Sequence, residues 1–182
     1  MEHRENQRVQ LTKRLLKEAL MKLLEEKPLE QINVSELCRV ADINRATFYK
    51  HYAIPQDVLR EIEQDLTADM RKMAPEIQNA ETGKKYLADI CEYLYARREI
   101  MRILLNCRTD EDMVVMFSEM NRRYWSQYGS GNDRGLDEAG SMLMVTFFSS
   151  GGYYLIRQWL MEDVQKTPQE VADLVFHLVT RM

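Results

Sequence analysis

Cysteine, histidine, proline and glycine are all scarce in this chain, and each scarcity excludes something. Cys38, Cys91 and Cys107 are odd in number and far apart, with no Cys-x-x-Cys pair and no histidine at ligand spacing. That pattern excludes a disulfide framework and a zinc site, and leaves buried thiols in a reducing compartment as the expectation. There are three histidines. His3 lies in a polar tail, His51 in a short basic segment, and His177 near the end has no Cys or acid at ligand spacing. Neither a nucleophile with its base, nor paired buried carboxylates, nor a phosphate loop stands out, so no cofactor or metal is expected and an enzyme is not the expected class. Long apolar runs are missing too. The longest uncharged run, Ser141 to Ile156, is short of the ~18 residues that a membrane helix needs. The opening "MEHRENQR" lacks the apolar core of a signal peptide. The expectation is a cytoplasmic protein with no membrane partner.

What the chain does have is helical periodicity from end to end. Of its 182 residues, 45% are apolar, enough for a sizeable core. The net charge of −4 is unevenly placed: residues 1–60 hold 11 Lys/Arg against 9 Asp/Glu, and residues 61–182 hold 14 against 20. An anionic partner for the first part fits that balance, although most charge runs are solvated faces. No strand-length alternation with flanking turn dipeptides occurs, so the fold class is all-α. Leu16, Ala19, Leu20, Leu23 and Leu24 form one apolar stripe on a helix expected over about 8–26, which Pro28 stops. Asn33 and Glu36 have capping-box spacing, starting a second helix near Val34 whose Leu37, Cys38 and Ala41 face inward. Asp42, Ile43 and Asn44 make a break that tolerates left-handed backbone. A third helix is expected over about 45–52 and a fourth from Pro55 to about Met73, with further helices near 81–96, 97–107, 110–127, 136–162 and 168–181. The stretch "YGSGNDRG" reads as a flexible loop.

Within this frame, "NRATFYKHY" at 44–52 crowds hydrogen-bonding groups onto two turns of helix. At 100° per residue Phe48 and Tyr52 share one side, joined by Ile43, and can pack on the first two helices. Ala46, Thr47 and Lys50 lie opposite, flanked by Tyr49 and His51. One reading is an ordinary short amphipathic helix showing its polar side to water. The other is a recognition helix for a major groove about 12 Å wide, with Ala46 allowing close approach, Thr47 and Lys50 at base edges or phosphates, and Tyr49 and His51 on the backbone. The capped second helix, the short break and the basic first helix with Arg4, Arg8, Lys13, Arg14 and Lys17 favour the second reading, because together they describe a helix-turn-helix.

The segment "NVSELCRVADINRATFYKHY" resembles the DNA-binding segment of the tetracycline-repressor (TetR) family, with Val34, Leu37, Ala41, Ile43, Thr47, Phe48, Tyr49, His51 and Tyr52 on the family's pattern. The resemblance spans about residues 8 to 60. It implies that Arg45, Ala46, Thr47 and Lys50 read base edges or adjacent phosphates, that Tyr49 and His51 clamp phosphates, that Ser35 reaches a base and that Thr12 touches the backbone. Three positions depart from the pattern: Asp42 replaces a turn glycine, Asn33 replaces a capping threonine, and Pro55 stands where many members carry a phosphate-binding lysine. The implied architecture is an N-terminal three-helix helix-turn-helix domain, residues 1–54, joined by a linking helix to a helical dimerisation and effector domain, residues 55–182.

"SSGGYYLIRQWLMED" followed by "TPQEVADLV" further resembles the C-terminal type common in Firmicutes regulators. Gly151 and Gly152 each cost roughly 1 kcal/mol relative to alanine in a helix, which a close helix crossing at a dimer interface offsets. The uncharged run Ser141–Ile156 fits either burial between its own core and a second subunit or a plain central core helix. The stripe Val171, Leu174, Val175, Leu178 and Val179 could pair with it in a four-helix interface. For an effector pocket the apolar candidates are Met101, Leu105, Met113, Met116, Phe117, Met120, Tyr124 and Phe147, since methionine suits a pliable cavity; the same stripe also reads as core. Arg97, Arg98 and Arg102 form a basic cluster that could meet an anionic effector or simply face water. The expected function is a ligand-responsive, sequence-specific transcription regulator, a repressor on a palindromic operator in double-stranded DNA, acting as a homodimer with a small-molecule effector. The alternative is a coregulator of the same fold that works through a protein partner, or an activator.

Overall fold

The computed structural model describes residues 2–73, 80–128, 137–162 and 164–181, with side chains described over 6–73, 81–119, 137–162 and 164–178. Every regular element among the described residues is helical. The elements are α1 (Glu2–Leu24), α2 (Val34–Ala41), α3 (Arg45–Phe48), α4 (Pro55–Met73), α5 (Ala80–Ala96), α6 (Arg98–Cys107), α7 (Asp110–Tyr128), α8 (Glu138–Met161) and α9 (Pro168–Arg181), with one 3-10 turn at Leu29–Gln31. Among the described residues no helix is long and apolar enough to cross a membrane. The expected loop "YGSGNDRG", apart from Tyr128 at the end of α7, lies outside the described residues, as does the side chain of Val179.

The chain divides into two compact units, Met1–Asp69 and Met70–Met182. The first is built on the α1 stripe: Leu16, Ala19, Leu20 and Leu23 are buried, and Leu24 is half-buried at its margin. α1 packs on α2 and α2 on α3. Leu37, Cys38 and Ala41 point inward from α2, as their spacing requires, and Leu29 and Ile32 seal the end of this core. The 3-10 turn that carries Leu29 follows Pro28, which ends helical hydrogen bonding without ending burial. Phe48 and Val58 are wholly buried. At α4, Pro55 takes the first helical position, and Asp57 Oδ2 accepts from the amides of Ala53 and Ile54, which a helix start otherwise leaves unpaired.

In the second unit α5 lies along α9, α7 lies along α8, and α6 touches both α5 and α8. Cys91, Leu94, Met101, Leu104, Leu105, Met113, Tyr153, Trp159, Leu160, Val171 and Ala172 are its buried apolar side chains. Tyr95 stacks on Trp159 with centroids 5.2 Å apart, and the Trp159 indole donates to the Lys166 carbonyl at 2.9 Å. α9 begins with a complete capping box: Thr167 Oγ1 accepts from the Glu170 amide and Glu170 Oε2 accepts from the Thr167 amide. Cys38 and Cys91 are buried and Cys107 is half-buried, and none of the three is in a disulfide.

Candidate nucleic-acid interface

The candidate interface is assembled from two short helices and the turns that end them. Asn33 caps α2, its side chain accepting from the Glu36 amide at 3.0 Å. Only half of the expected box forms, because the Glu36 carboxylate is drawn to Lys27 Nζ at 2.6 Å instead of reaching back to Asn33. A charged partner outbids a neutral amide for that carboxylate. Asp42 closes α2 in the left-handed region, φ 53° and ψ 42°, and Ile43 N–H donates to the Cys38 carbonyl at 2.9 Å. Asn44 then caps α3, accepting from the Ala46 amide at 2.8 Å.

α3 is shorter than the spacing suggested. Regular helix ends at Phe48 rather than near Tyr52, and the chain continues as a turn in which Lys50 donates to Thr47 and His51 to Phe48. Such i to i−3 bonds tighten a helix end and swing the next side chains outward. The two-sided arrangement survives this. Phe48 is buried and contacts Tyr49 edge-on at 5.5 Å and Tyr52 at 5.8 Å. Tyr52 is buried as well. On the open side Arg45, Ala46, Tyr49 and Lys50 are exposed, while Thr47 and His51 are half-buried. Ser35 is exposed at the start of α2, and Thr12 is half-buried on α1.

Beside this segment a groove of roughly 590 Å³ opens between the turn after α3 and the first turns of α4. Tyr49, Lys50 and His51 form one wall; Asp57, Arg60 and Gln64 contribute to the other. The α4 residues were not singled out in the sequence, although Asp57, Arg60, Glu61 and Gln64 recur at helical spacing after a helix-starting Pro55. Asp57 also holds Arg60, with Nη1 to Oδ1 at 2.9 Å. The Ala53 and Ile54 amides come first among the causes that hold the Asp57 carboxyl below its ordinary range.

Glu61, which lines the groove together with Tyr52 and Ala53, is its charged hub. Its carboxylate accepts from Lys13 Nζ at 2.9 Å, Lys17 Nζ at 2.8 Å and Tyr52 Oη at 2.9 Å. Burial alone raises a carboxyl, but hydrogen bonds from Lys17, Lys13 and Tyr52 outweigh it and hold Glu61 at about 2. Burial and then Glu61 push the Tyr52 phenol well above its ordinary value. Two cations of the basic first helix are thereby turned inward onto α4, and Arg14 pairs with Glu18 along α1.

In the second unit the effector candidates divide. Met101, Leu105 and Met113 are buried; Met116 and Phe117 are half-buried. The Phe117 ring lies 6.4 Å from Tyr153, and its Cε1 would be 3.7 Å from a Cβ at Gly152, an ordinary contact, so the α7–α8 packing does not require glycine there. Tyr153 donates to Asp110 Oδ1 at 2.7 Å, and Arg157 Nε lies 3.0 Å from the same oxygen, in ion-pair range but without hydrogen-bond alignment. Phe147 does not join this group; it is 63% exposed on the other side of α8. The side chains of Met120 and Tyr124 lie outside the described residues. The basic cluster divides: Arg97 sits over the Tyr93 ring at 3.9 Å and Arg102 Nε donates to the Leu160 carbonyl at 2.5 Å, while Arg98 lies over Tyr95 at 5.1 Å and is exposed.

The run Ser141–Ile156 is two-faced rather than buried all round. Ser149 and Tyr153 are buried, whereas Met142, Leu143, Phe147 and Tyr154 are exposed. Gly151 is on the open side, and a Cβ there would meet nothing within 4 Å.

The comparisons with known proteins bear on this architecture. Residues 81–181 match the family model TetR_C_8, described as transcriptional regulator C-terminal region. The class is therefore a transcriptional regulator, which is not an enzyme class. The chain belongs to the TetR family of transcriptional regulators. Among solved structures it is similar to a TetR transcriptional regulator from Streptococcus agalactiae 2603V, at 19% identity and TM-score 0.75, covering 98% of this chain and 99% of that one. It is similar to the dihydroxyacetone kinase operon activator DhaS, at 13% identity and TM-score 0.66, over 93% and 94% of the two chains. It is also similar to the fatty acid degradation regulator FadR from Bacillus halodurans, at 17% identity and TM-score 0.66, over 92% and 94%. At these identities the shared property is the fold. No curated protein sequence matches the chain.

Proposed function

We propose that this regulator is a repressor that binds a palindromic operator as a homodimer and is controlled by a small-molecule effector. In this reading residues 1–54 are the DNA-binding domain and residues 55–182 the regulatory and dimerisation domain. The observation that carries the DNA-binding part is the division of the 44–52 segment: Phe48 and Tyr52 inside, Arg45, Ala46, Tyr49 and Lys50 outside. Arg45, Ala46, Thr47 and Lys50 face base edges and nearby phosphates, Tyr49 and His51 the backbone, Ser35 a base, and Thr12 the backbone from α1. Two such helices in a two-fold dimer meet successive major grooves about 34–36 Å apart.

For the homodimer, the supporting feature is the open apolar side of α8. Met142, Leu143, Phe147 and Tyr154 are exposed together, and a Cβ at Gly151 among them would meet nothing within 4 Å. Leu174 and Leu178 on α9 are partly exposed and extend the available apolar surface. For the effector, Met101, Leu105, Met113, Met116, Phe117, Met120 and Tyr124 remain the proposed lining, with Phe147 reassigned to the dimer side. A ligand there changes DNA binding only by its differential affinity for two states of the dimer. The fold does not fix the sign of regulation, since one similar structure carries the name of an operon activator.

The test is fluorescence anisotropy on DNA fragments from around the protein's own gene, against scrambled competitor, at two salt concentrations. One fragment bound tightly, with binding that weakens with salt and is lost in Lys50→Ala and Thr47→Ala proteins of unchanged helical content, is the expected result. Binding that is equal on all genomic fragments and indifferent to both substitutions transfers the case to a coregulator working through a protein partner.

A further inference from the structure

The turn that carries Tyr49, Lys50 and His51 has little holding it from within. Four residues of α3 precede it, and its backbone bonds are few: Tyr49 to Arg45 and Tyr52 to Phe48, both i to i−4 at 3.0 Å, and the i to i−3 contacts Lys50 to Thr47, at 3.3 Å, and His51 to Phe48, at 2.9 Å. A segment this short does not sustain helical geometry alone. Beyond the bond from the Tyr52 amide to the Phe48 carbonyl, its far end is held by the Tyr52 side chain, buried between its ring contacts with Phe48 and His51. The Tyr52 hydroxyl ends on the Glu61 carboxylate, which two lysines of α1 hold in turn. Lys17 also reaches Asp65, one turn further along α4, so the carboxylate is anchored on both helices. The buried ring alone sets how deep the turn sits. The hydroxyl adds a directional tie, its one acceptor being Glu61 Oε2 at 2.9 Å.

We propose that Glu61 is a positioning residue for DNA binding, acting through the Tyr52 hydroxyl to fix the orientation of the Tyr49–His51 turn. The inference rests on the reading of that turn as DNA-facing. Glu61 lines the groove beside the turn but is assigned no DNA contact: it is an anion, and its oxygens already accept from Lys13, Lys17 and Tyr52. Its removal therefore costs affinity without removing a phosphate contact. Loss of a directed, charge-assisted hydrogen bond leaves the turn free to rotate, and each misplaced clamp is then a weaker contact.

Tyr52→Phe removes only the hydroxyl and keeps the buried ring, while Glu61→Gln removes the charge and keeps the shape. Both, and the double variant, are to be measured as full-length protein on the fragment that the unaltered protein binds best. The expected result is a loss of roughly tenfold in affinity for each single variant, with the slope of log affinity against log salt unchanged. The double variant is expected to be no weaker than Glu61→Gln alone, because both changes cut one link. Additive losses, a neutral Tyr52→Phe beside a weakened Glu61→Gln, or two neutral variants each overturn the proposal. Hydrogen exchange at the Lys50, His51 and Tyr52 amides reads the same link without DNA. Faster exchange there, with α2 unchanged, is expected in Tyr52→Phe, and unchanged exchange overturns the proposal even if Glu61→Gln does not fold. A Lys50→Ala protein that keeps full affinity sinks instead the reading of the turn as DNA-facing, and with it a positioning role toward DNA.

Discussion

Phe147→Glu tests the proposed dimer at the point where its geometry is most exposed to refutation. Phe147 is 63% exposed in the single chain. Full burial of such a side chain contributes ~1.5–3 kcal/mol, so about two thirds of that, ~1–2 kcal/mol, is still to be gained on association. An isologous interface uses each position twice. The two rings together then contribute ~2–4 kcal/mol, and replacing them by carboxylates adds an unpaired-charge cost of at least ~1 kcal/mol each. The sum, ~4–6 kcal/mol, is a rise in dimer dissociation constant of at least ~1,000-fold. Sedimentation velocity from nanomolar to micromolar protein measures it, with circular dichroism as the control that helix content is kept. Tyr153→Glu is unsuitable for the purpose, because Tyr153 is buried within its own unit and bonded to Asp110. A Phe147→Glu protein that folds and dimerises with an unchanged dissociation constant refutes the assignment of this α8 face to the interface.

Three further outcomes follow from the first unit. Asp42 is the one positive-φ residue other than glycine among the described residues; Asp42→Ala is expected to destabilise by ~1 kcal/mol, read as a melting temperature lower by roughly 2–4 °C, while Asp42→Gly keeps or raises it. Glu61 has its folded value near 2, below the ordinary 4.5, so its stabilisation is complete above pH 4.5 and is lost as pH falls toward 2. Denaturant midpoints between pH 6 and pH 3 are expected to fall more in the unaltered protein than in Glu61→Gln, by up to about 2 kcal/mol; equal falls discount the network. On DNA, Lys50→Ala is expected to flatten the salt dependence by ~1.8 for a dimer, one phosphate per protomer, whereas Lys17→Ala leaves the slope alone, its ammonium being committed to Glu61 and Asp65. Equal changes from both lysines refute the distinction.

The parts of this fold that were legible in the sequence are those governed by local periodicity and local stops. The α1 stripe, Pro28, Pro55 and the Asp42–Asn44 break each act within a turn or two, and the helices they delimit appear where that chemistry puts them. The two sides of the 44–52 segment were legible for the same reason. What was not legible depends on partners distant in the chain. Glu36 reads as half of a capping box until Lys27 comes within 2.6 Å of it. Lys13 and Lys17 read as a basic face until folding brings Glu61 and Asp65 against them, 48 residues away. The run Ser141–Ile156 gives no charge to mark an outer face, so periodicity could not tell its open side from its buried one. The Thr167–Glu170 box, by contrast, stands in "TPQE" at full spacing and needed only to be read.

These distant pairings decide how a chain of net charge −4 can present a cationic surface at all. A count of lysines and arginines in residues 1–60 gives a small excess that says little. Pairing then sorts them: Lys13 and Lys17 are spent on α4, Arg14 on Glu18, Lys27 on Glu36 and Arg60 on Asp57. Lys50 makes no ion pair among the described residues, and Arg45 is exposed beside it in the same short segment. Arg8, Lys22 and Arg39 are exposed elsewhere in the unit, so what distinguishes Arg45 and Lys50 is their place beside Ala46 and Tyr49, which the backbone also turns outward. Long-range attraction between net negative partners is weak, so specificity in the proposed complex has to come from short-range contacts. Such contacts are sensitive to the angle of the turn that carries them. On the proposed reading, the four charged side chains Lys13, Lys17, Glu61 and Asp65 act on that angle through Tyr52, without a DNA contact of their own.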